Sequence, residues 1–253
     1  MHIMLTNDDG IFAPGLRELS KTAAAAGHRV TIFAPDSQRS AASHAISLTQ
    51  PLKIERVPFD GIAAYSVSGT PADCAKLGLY LMRDDLPDIV LSGINKGSNR
   101  GAAILYSGTV GAAQEASISG VPGVAVSLCA FRDDGYEYAA QLGVRTAEWA
   151  LRNPLPRGEI YNLNVPYGVK PLGVRVATVS NEYIFDPIYT ETPEGYVMET
   201  GENVLPELDE NSDLQLTRAG YAALSIIGWN PLSALKINDF SELNGVLENG
   251  DGD

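Results

Sequence analysis

MHIMLTNDDGIFAPG, residues 1–15, is the stretch that decides the fold of this 253-residue chain. The apolar run at 3–5 predicts a buried strand that delivers NDDG, residues 7–10, onto a turn. Asp8 and Asp9 repel each other there, since each carboxylate raises the cost of ionising its neighbour unless a cation or strong donors lie between them. We therefore predict a divalent metal at this turn. Oxygen ligands of this kind suit Mg²⁺, Mn²⁺ or Ca²⁺ better than zinc.

A bare pair of aspartates in a loop can also cap the following helix with one side chain and leave the other solvated. Asp84–Asp85 and Asp133–Asp134 fit that interpretation, because they lie at a predicted helix end and in a loop away from any predicted strand end. The first pair instead follows a buried strand directly. Its position separates it from the other two pairs and favours ligand binding.

Helices alternate with short buried strands along most of the sequence. Apolar residues at helical spacing predict a helix over 16–26, which Gly27 stops, and a strand over 30–34. This alternation indicates a parallel sheet covered on both faces, with binding loops at the carboxyl ends of its strands. We predict an α/β fold, a Rossmann-like three-layer sandwich with a mostly parallel central sheet.

The remaining elements of this sandwich are predicted from the same patterns. Helices are predicted over 71–82, with Thr70 as its N-cap, from the loop at 106–117, and over 136–151. Buried strands are predicted over 88–91, 121–128 and 160–165, the last being the final strand of the main sheet. Alternating runs at 46–52 and 63–67 predict an antiparallel excursion at the sheet edge.

The character of the chain changes after the predicted sheet. Residues 182–212 are rich in Glu, Asp, Pro and Tyr and have little helical period, which is typical of an extended arm. Strand character returns at 221–227, and a short helix is predicted near 240–247. We predict a Rossmann-like catalytic core over 1–180, and over 181–253 an extended arm and a small outer strand and helix subdomain involved in oligomerisation.

Charge and cysteine content exclude several classes of protein. The net charge is −13, and no Lys/Arg cluster is present of the kind that binding to polymeric DNA or RNA requires. A small anionic substrate would have to be attracted by a metal and by backbone N–H groups. Cys74 and Cys129 are too few for a disulfide framework, and no apolar run approaches the ~18 residues of a membrane span. We expect a cytoplasmic protein with no leader segment and no membrane partner.

Polar side chains follow three further predicted strands at their carboxyl ends. Ser40 lies in the polar loop after the second strand, and Asn95 lies between two glycines that let the backbone approach an ion. Asn99 and the turn Ser107–Gly108–Thr109 suit phosphate binding, because a helix N-terminus presents free N–H groups and a partial positive charge. Turn formation or simple helix capping is the alternative at each of these positions. No GxSxG, Walker or GxGxxG motif is present, which leaves a covalent serine mechanism and ATP binding without support.

Several short motifs come together in one order along the chain. They are NDDG at 7–10, APG at 13–15, APD at 34–36, RS at 39–40, GTP at 69–71 followed by Asp73 and Cys74, SGIN at 92–95, YSGTV at 106–110 and NLNVP at 162–166. In this order they resemble the SurE family of stationary-phase survival proteins, which act as 5′/3′-nucleotidases. The resemblance covers roughly residues 1–166 and becomes faint beyond them.

The resemblance implies a metal-dependent phosphomonoesterase that hydrolyses nucleoside monophosphates to nucleoside and phosphate. One divalent ion (Mg²⁺, Mn²⁺, Ca²⁺ or Co²⁺) would be held by the residues that match the family's ligands, namely Asp8, Asp9, Ser40 and Asn95. The phosphate would be surrounded by Asn99, Ser107, Gly108 and Thr109. Asp8, Asp9 and Asn99 are the expected catalytic residues. Family members are homodimers or homotetramers that exchange a C-terminal hairpin arm, for which residues 182–204 are the candidate here.

Two departures from the family pattern stand out. Ala41 replaces the glycine that commonly follows the RS pair, and SIIGWNPL at 225–232 replaces the usual Ser-Ile-Thr-Pro-Leu run. The second departure puts the outer domain, arm exchange and substrate preference in doubt more than the metal site. Two alternatives stay open: a phosphatase with an aspartyl-phosphate intermediate, which would usually space its aspartates as DxD, and a nucleotide-binding regulatory protein without turnover.

Overall fold

The opening apolar run forms the fourth strand of a nine-stranded sheet in a computed structural model, which describes residues 1–180, 187–200 and 209–228. The strands are β1 His2–Thr6, β2 Arg29–Pro35, β3 Ile54–Val57, β4 Ala63–Val67, β5 Ile89–Lys96, β6 Gly123–Leu128, β7 Glu159–Val165, β8 Val174–Val176, β9 Pro187–Thr192, β10 Gly195–Thr200 and β11 Ala222–Gly228. The α-helices are α1 Pro14–Ala25, α2 Pro71–Leu81, α3 Gly108–Ile118, α4 Glu137–Arg152 and α5 Asp213–Arg218, and a 3₁₀ helix spans Gly101–Tyr106.

The sheet order is β3-β4-β2-β1-β5-β6-β7-β11-β8, and its pairs are parallel except for β3 with β4 and β7 with β11. Successive side chains of β1 point to opposite faces of the sheet, and helices cover both faces. Ile3 and Leu5 belong to one apolar core with residues of α1 and α4, whereas Met4 belongs to another with residues of α2 and α3. The predicted three-layer α/β sandwich with a mostly parallel sheet is confirmed.

Local sequence signals account for the helix starts. Pro14 occupies the first position of α1, where its missing N–H costs nothing. Helix α2 begins with a reciprocal capping box, in which the Thr70 side chain accepts from the Asp73 N–H and the Asp73 carboxylate accepts from the Thr70 N–H. The predicted N-cap of this helix is therefore confirmed.

The predicted edge excursion is half correct. Residues 63–67 do form a strand, but β4 pairs parallel with β2, and its antiparallel partner is β3 rather than 46–52. Residues 46–52 form no strand, because this segment bonds to the start of α2 instead. The Ser47 N–H and hydroxyl donate to Asp73, and the Thr70 hydroxyl donates to the carbonyl of Ala45.

The prediction that 160–165 ends the main sheet is wrong. Strand β7 is buried over almost its whole length, so its outer edge needs a hydrogen-bonding partner. Strand β11 supplies that edge antiparallel to β7, and β8 then adds parallel to β11. The boundary placed between residues 180 and 181 stays a prediction, but the strand at 222–228 lies in the central sheet and not in a separate one.

The arm predicted over 182–204 is described in part. Strands β9 and β10 within it form a separate two-stranded antiparallel hairpin. Some of the predicted features lie outside the described residues. These are 182–186 and 201–204 of the predicted arm, the helix predicted near 240–247, and 229–232 of the divergent run. Among the helices of the described part, none has the length and apolar character needed to cross a membrane.

Candidate metal and phosphate site

The topology opens a crevice at the carboxyl end of β1. From β1 the chain continues to β2 on one side, whereas its neighbour on the other side is β5, so the strand order reverses between β1 and β5. Loops diverge at such a switch point and leave room for a ligand. Asp8 and Asp9 follow β1 at this point, and Asn95 lies near the end of β5.

A cavity of about 210 Å³ occupies this crevice. Its lining includes six of the predicted site residues: Asp8, Asp9, Ser40, Asn95, Asn99 and Ser107. It also includes Gln38, Ala41, Lys96, Ser98, Ala103, Tyr106 and Phe131. Gly108 and Thr109 are not among these lining residues. The four predicted metal ligands and two of the predicted phosphate-binding residues thus share one space.

Asp8 is buried and held by helix α3. The Thr109 hydroxyl donates to Oδ1 of Asp8 at 2.6 Å, and the Thr109 N–H donates to Oδ2 at 3.2 Å. Burial, followed by the neighbouring charge of Asp9, raises the pKa of Asp8 to about 6, although the bonds from Thr109 lower it. The carboxylate is therefore oriented by donors but short of positive charge.

Asp9 is held from the other side of the crevice. The backbone N–H of Lys96, the last residue of β5, donates to Oδ2 of Asp9 at 2.9 Å. Burial raises the pKa of Asp9 above its ordinary value, against the lowering effect of this bond and of the Lys96 charge. Two adjacent carboxylates with raised pKa values indicate a place where a cation would be bound favourably.

Local hydrogen bonds fix the shape of the NDDG turn. The Asn7 side chain donates to the Gly10 carbonyl at 2.9 Å and accepts from the Gly10 N–H at 3.2 Å. Gly10 has φ +101°, a conformation that favours glycine. The Arg39 N–H donates to the Asp8 carbonyl at 2.7 Å, which ties the loop after β2 to the turn. This tie brings Ser40 to the cavity.

Ser40 lies on the exposed side of the cavity. Its hydroxyl oxygen accepts a 2.8 Å bond from the side-chain amide of Gln38. A hydroxyl in this role keeps a second lone pair and its own proton for another partner. Ser40 can therefore bind an ion or a water beside the aspartates without losing its contact with Gln38.

A bulge in β5 positions Asn95. The pairing of β5 with β6 shifts register between Ser92 and Asn95, and Gly93 within the shift has φ +148°. A Cβ at Gly93 would lie 2.4 Å from the carbonyl oxygen of Val126, so the close approach of the strands requires glycine. The Asn95 amide nitrogen donates to the Gly97 carbonyl at 2.8 Å, which leaves the amide oxygen on the opposite side of the group. Such bulges commonly re-aim a side chain next to a binding site.

Asn99 is buried in a network of polar side chains. Its amide nitrogen donates to the Ser127 hydroxyl at 2.8 Å, and its N–H donates to the Asn164 side chain at 2.8 Å. The carbonyl of Asn99 accepts from the side chains of Asn162 and Asn164, both at 2.9 Å. One amide hydrogen of Asn99 is used by Ser127, so the second is the one that could reach a phosphate.

Ser107 caps helix α3 beside the cavity. Its hydroxyl oxygen accepts from the Val110 N–H at 3.1 Å, so its O–H remains a donor. The Thr109 N–H is directed to Asp8, and that of Gly111 to the Ser107 carbonyl. These contacts leave the Gly108 N–H, the first of the helix, as a further candidate donor. A Cβ at Gly108 would meet the Cβ of Asp8 at 3.0 Å, which shows how closely the helix end approaches the aspartate.

The donor set fits a hard divalent ion. Two carboxylates, a hydroxyl and an amide oxygen are the ligand types that Mg²⁺, Mn²⁺ and Ca²⁺ prefer. Within the described ranges no group of three or more His, Cys, Asp or Glu side chains could hold a metal. The predicted set contains only two such residues, Asp8 and Asp9, and is completed by neutral oxygens.

Sequence reasoning missed several residues of the site. Phe131 and Tyr106 bring aromatic rings to the cavity, and Lys96 brings a charge. Tyr106 lies in the YSGTV motif but was given no role, and none of the quoted motifs contains Lys96 or Phe131. The polar network around Asn99 had a usable signal, because Asn162 and Asn164 alternate in the NLNVP segment of a buried strand, where polar side chains need partners.

Comparisons with known proteins find relatives along most of the chain. A family model described as survival protein SurE matches residues 3–185. The 5′-nucleotidase SurE of Desulfitobacterium hafniense (strain DSM 10664 / DCB-2) is 42% identical over 236 residues, which cover 89% of this chain and 90% of that protein. The 5′-nucleotidase SurE of Prochlorococcus marinus subsp. pastoris (strain MED4) is 46% identical over 169 residues, 66% of this chain and 63% of the relative's length.

A solved structure extends the likeness to the fold. The crystal structure of the SurE protein from Aquifex aeolicus superposes with a TM-score of 0.82 at 30% sequence identity. The match covers 96% of this chain and 100% of that one. The likeness therefore reaches beyond the 169 residues shared with the Prochlorococcus relative.

Proposed function

Because this chain belongs to the SurE family, we propose that it is a metal-dependent nucleotidase that hydrolyses nucleoside 5′- and 3′-monophosphates to nucleoside and phosphate. The observation that carries the proposal is the shared cavity, in which Asp8, Asp9 and Asn95 lie together with Ser107 and Asn99. Hard oxygen ligands and phosphate donors in one space are what metal-assisted phosphate hydrolysis requires.

We assign the ion to Asp8, Asp9, Ser40 and Asn95, and it would be Mg²⁺, Mn²⁺, Ca²⁺ or Co²⁺. When bound, a divalent ion supplies positive charge to the phosphate and lowers the pKa of a water that attacks phosphorus in line. Each oxygen of Asp8 already accepts one hydrogen bond from Thr109 and keeps a second lone pair for the cavity. Thr109 is therefore a positioning residue that orients Asp8.

Donors from two elements would hold the phosphate. The Ser107 hydroxyl and the Gly108 N–H lie at the positive end of α3, and the Asn99 amide approaches from the loop after β5. They would stabilise charge on the phosphate oxygens as it redistributes, at ~3 kcal/mol for each well-placed donor. Asp8 or Asp9 would accept the proton of the attacking water. No bond between the protein and the phosphate forms in this scheme.

A phosphate-release panel tests the proposal. Nucleoside 5′- and 3′-monophosphates are assayed with each of the four ions and with EDTA, using the full chain and the variants Asp8→Asn and Asn95→Ala. We expect metal-dependent release that EDTA abolishes, and a loss of at least 10²-fold in both variants, with folding checked by circular dichroism. Release that is indifferent to EDTA, or full activity in both folded variants, would contradict the proposal.

Two further measurements separate the alternatives. Trapping with a phosphate mimic, followed by mass analysis of Asp8, detects an aspartyl-phosphate intermediate, which the proposed scheme does not form. Calorimetry with AMP and Mn²⁺ beside the release assay detects binding without turnover, which would favour a regulatory nucleotide-binding protein. We expect no covalent adduct and turnover of the bound nucleotide.

We also propose a homodimer or homotetramer assembled through the arm at 182–204. The described hairpin supports this, because Tyr189, Tyr196 and Met198 lie on one face of the two-stranded element and are all more than half exposed. Isolated hairpins are marginally stable in water and need a packing partner. Light scattering at micromolar concentration tests the assembly, and a monomeric mass would contradict it.

A further inference from the structure

We propose that the ring of Phe131 is the stacking platform for the nucleobase of the substrate, an inference that rests on the proposed function. Phe131 follows β6 at the same sheet edge as the aspartates, and its side chain lines the cavity that Asp8 and Asp9 line. The residue is 78% exposed. An aromatic ring therefore stands at the mouth of the phosphate cavity, with most of its surface available.

The ring lies against the loop that carries Asn95. A Cβ built on Gly97 would lie 2.8 Å from Cε1 of Phe131 and 3.1 Å from its Cζ. The absence of a side chain at Gly97, which also has φ +112°, lets this edge of the ring rest on the backbone. The rest of the ring remains available to a ligand.

The loop that presents Phe131 is held through the two residues that follow it. Lys96 Nζ bonds to Asp133 at 2.9 Å, and the Tyr136 hydroxyl donates to the Arg132 carbonyl at 2.8 Å. A single exposed phenylalanine on a loose loop would need no explanation. A ring whose loop is fixed by bonds to its neighbours and to the site loop is instead preorganised for contact.

A second anchor lies further along the same loop. The Tyr167 hydroxyl donates to Asp134 at 3.0 Å, and the Arg132 guanidinium lies 5.9 Å from the centre of the Tyr167 ring. Both contacts join the loop to the segment after β7. The loop that carries Phe131 is thus also held by contacts that do not involve its ring.

The size of the cavity leaves the base at its entrance, where Phe131 lies. Its volume of about 210 Å³ is below the roughly 300–1,000 Å³ of pockets that enclose a drug-sized ligand. If the phosphate lies beside Ser107 and Asn99 inside the cavity, the nucleoside must extend out of it past its entrance. Among the described residues of the lining, Phe131 and Tyr106, which is 46% exposed, are aromatic. Stacking tolerates any base, because every base has a π-face, so several bases should be accepted and a sugar phosphate without a base should bind weakly.

Substitutions that separate stacking from apolar contact test the proposal. Phe131→Ala, Phe131→Leu and Phe131→Tyr are compared with the unsubstituted chain on AMP, GMP and ribose 5-phosphate, with AMP affinity also measured by calorimetry. Tyr80→Ala is the matched remote control, because Tyr80 is 63% exposed on α2 and does not line the cavity.

We expect Phe131→Ala to raise KM and Kd for AMP and GMP about tenfold, which is about 1.4 kcal/mol, with kcat within twofold. KM for ribose 5-phosphate should move by less than twofold. Phe131→Leu should resemble Phe131→Ala, because leucine keeps apolar surface without a π-face, and Phe131→Tyr should restore tight binding. Tyr80→Ala should behave as the unsubstituted chain.

Two outcomes would overturn the inference: unchanged AMP affinity in Phe131→Ala, or equal losses for AMP and ribose 5-phosphate. Either leaves the proposed function intact, provided that the unsubstituted chain releases phosphate. If the unsubstituted chain binds AMP without releasing phosphate, the proposed function fails, and calorimetry with the same variants still decides whether Phe131 contacts the base.

Discussion

The Thr109 hydroxyl donates a 2.6 Å hydrogen bond to Oδ1 of Asp8, which joins the first turn of helix α3 to the turn after β1. The two residues are 101 positions apart in the sequence. Thr109 also directs its N–H to Oδ2 of the same carboxylate. Thr109 belongs to the turn that was expected to bind phosphate, but its two hydrogen bonds hold Asp8, the expected metal ligand.

Replacing Thr109 by valine should weaken metal binding about tenfold or more, within the 10–100-fold typical of groups that orient a ligand. Valine keeps the branched shape but removes the hydroxyl, so the pKa of Asp8 rises further and its orientation is less restricted. Calorimetry with Mn²⁺ at pH 7 measures the effect. Thr109→Ser keeps the hydroxyl and is the control. Equal affinities for Thr109→Val and the unsubstituted chain would show that Asp8 does not depend on this bond.

Asp8→Asn should stabilise the metal-free protein at pH 7 while removing activity. The pKa of Asp8 is about 6 in the folded chain and 3.8 in its reference state, so the folded state keeps a proton that the unfolded state has lost between these values. The free energy of unfolding therefore falls as pH rises from about 4 to 6, by about 3 kcal/mol. Asparagine does not ionise, and after allowance for its poorer contact with the Thr109 N–H we expect a net gain of about 1–2 kcal/mol.

Urea unfolding in EDTA at several pH values measures this gain. It should be largest at pH 7 and decrease as pH falls to about 3, where Asp8 is protonated in both states and only the poorer contact of asparagine with Thr109 remains. Asp36→Asn is a surface control, since Asp36 is exposed and pairs with Arg39. A pH-independent difference between Asp8→Asn and the unsubstituted chain would mean that ionisation of Asp8 does not oppose folding.

The alternation of apolar strands and helices was enough to predict the sandwich. A strand with apolar side chains on both faces needs a layer of helices packed against each face. Pairing partners were less predictable. The strand at 222–228 joins β7 through contacts more than 50 residues apart in sequence, and nothing in its local pattern specifies that neighbour. The segment 46–52 alternates like a strand but bonds to Asp73, which is a tertiary contact that overrides local preference.

At the site, too, strand topology was predictable from the sequence and individual tertiary contacts were not. Parallel topology places the carboxyl ends of neighbouring strands on one edge, so the proximity of Asp8, Ser40 and Asn95 could be predicted from strand order. The approach of Phe131, three residues beyond the end of β6, could not be predicted in this way. Phe131 reaches the cavity because its ring fits over Gly97, and that contact depends on backbone positions that no motif encodes.

Glu115→Gln should destabilise the protein by about 1–3 kcal/mol at pH 7. Its side chain is 6% exposed and bonds to His44 at 3.0 Å and to Lys76 at 2.6 Å, which ties the loop after Ser40 to α2 and α3. Burial alone would raise the pKa of Glu115, but these two partners outweigh it and hold the pKa below its ordinary value. A depressed acid contributes stability that is present above pH 4.5 and lost as pH falls through its folded pKa.

Chemical denaturation at pH 7 and pH 4 tests this cost. It should shrink at the lower pH as Glu115 is protonated. Glu148→Gln is the matched control, since Glu148 also pairs with a histidine, His28, at 3.1 Å but is 40% exposed. We expect the control to cost less than about 1 kcal/mol. Equal costs for the two variants would indicate that burial of Glu115 adds nothing to the pair.

Gly15→Ala sets helix propensity against packing. An exposed helical glycine replaced by alanine gains up to ~1 kcal/mol. A Cβ at Gly15, however, would lie 2.3 Å from the carbonyl oxygen of Ile94 and 3.0 Å from Cε1 of Tyr136, and a backbone oxygen cannot turn aside as a flexible side chain can. Overpacking of this kind costs roughly 1–3 kcal/mol, so packing should win with a net loss of about 1–2 kcal/mol.

The displaced atom is the carbonyl of the residue before Asn95, so the loss should extend to function. Mn²⁺ affinity should fall together with the free energy of unfolding, because moving the bulge of β5 moves the amide oxygen assigned to the ion. Gly173→Ala is the control, since nothing lies within 4 Å of a Cβ there, and it should change stability by less than about 0.5 kcal/mol. A Gly15→Ala protein that is more stable than the unsubstituted chain, with unchanged Mn²⁺ affinity, would show that α1 can move away from β5 without disturbing the site.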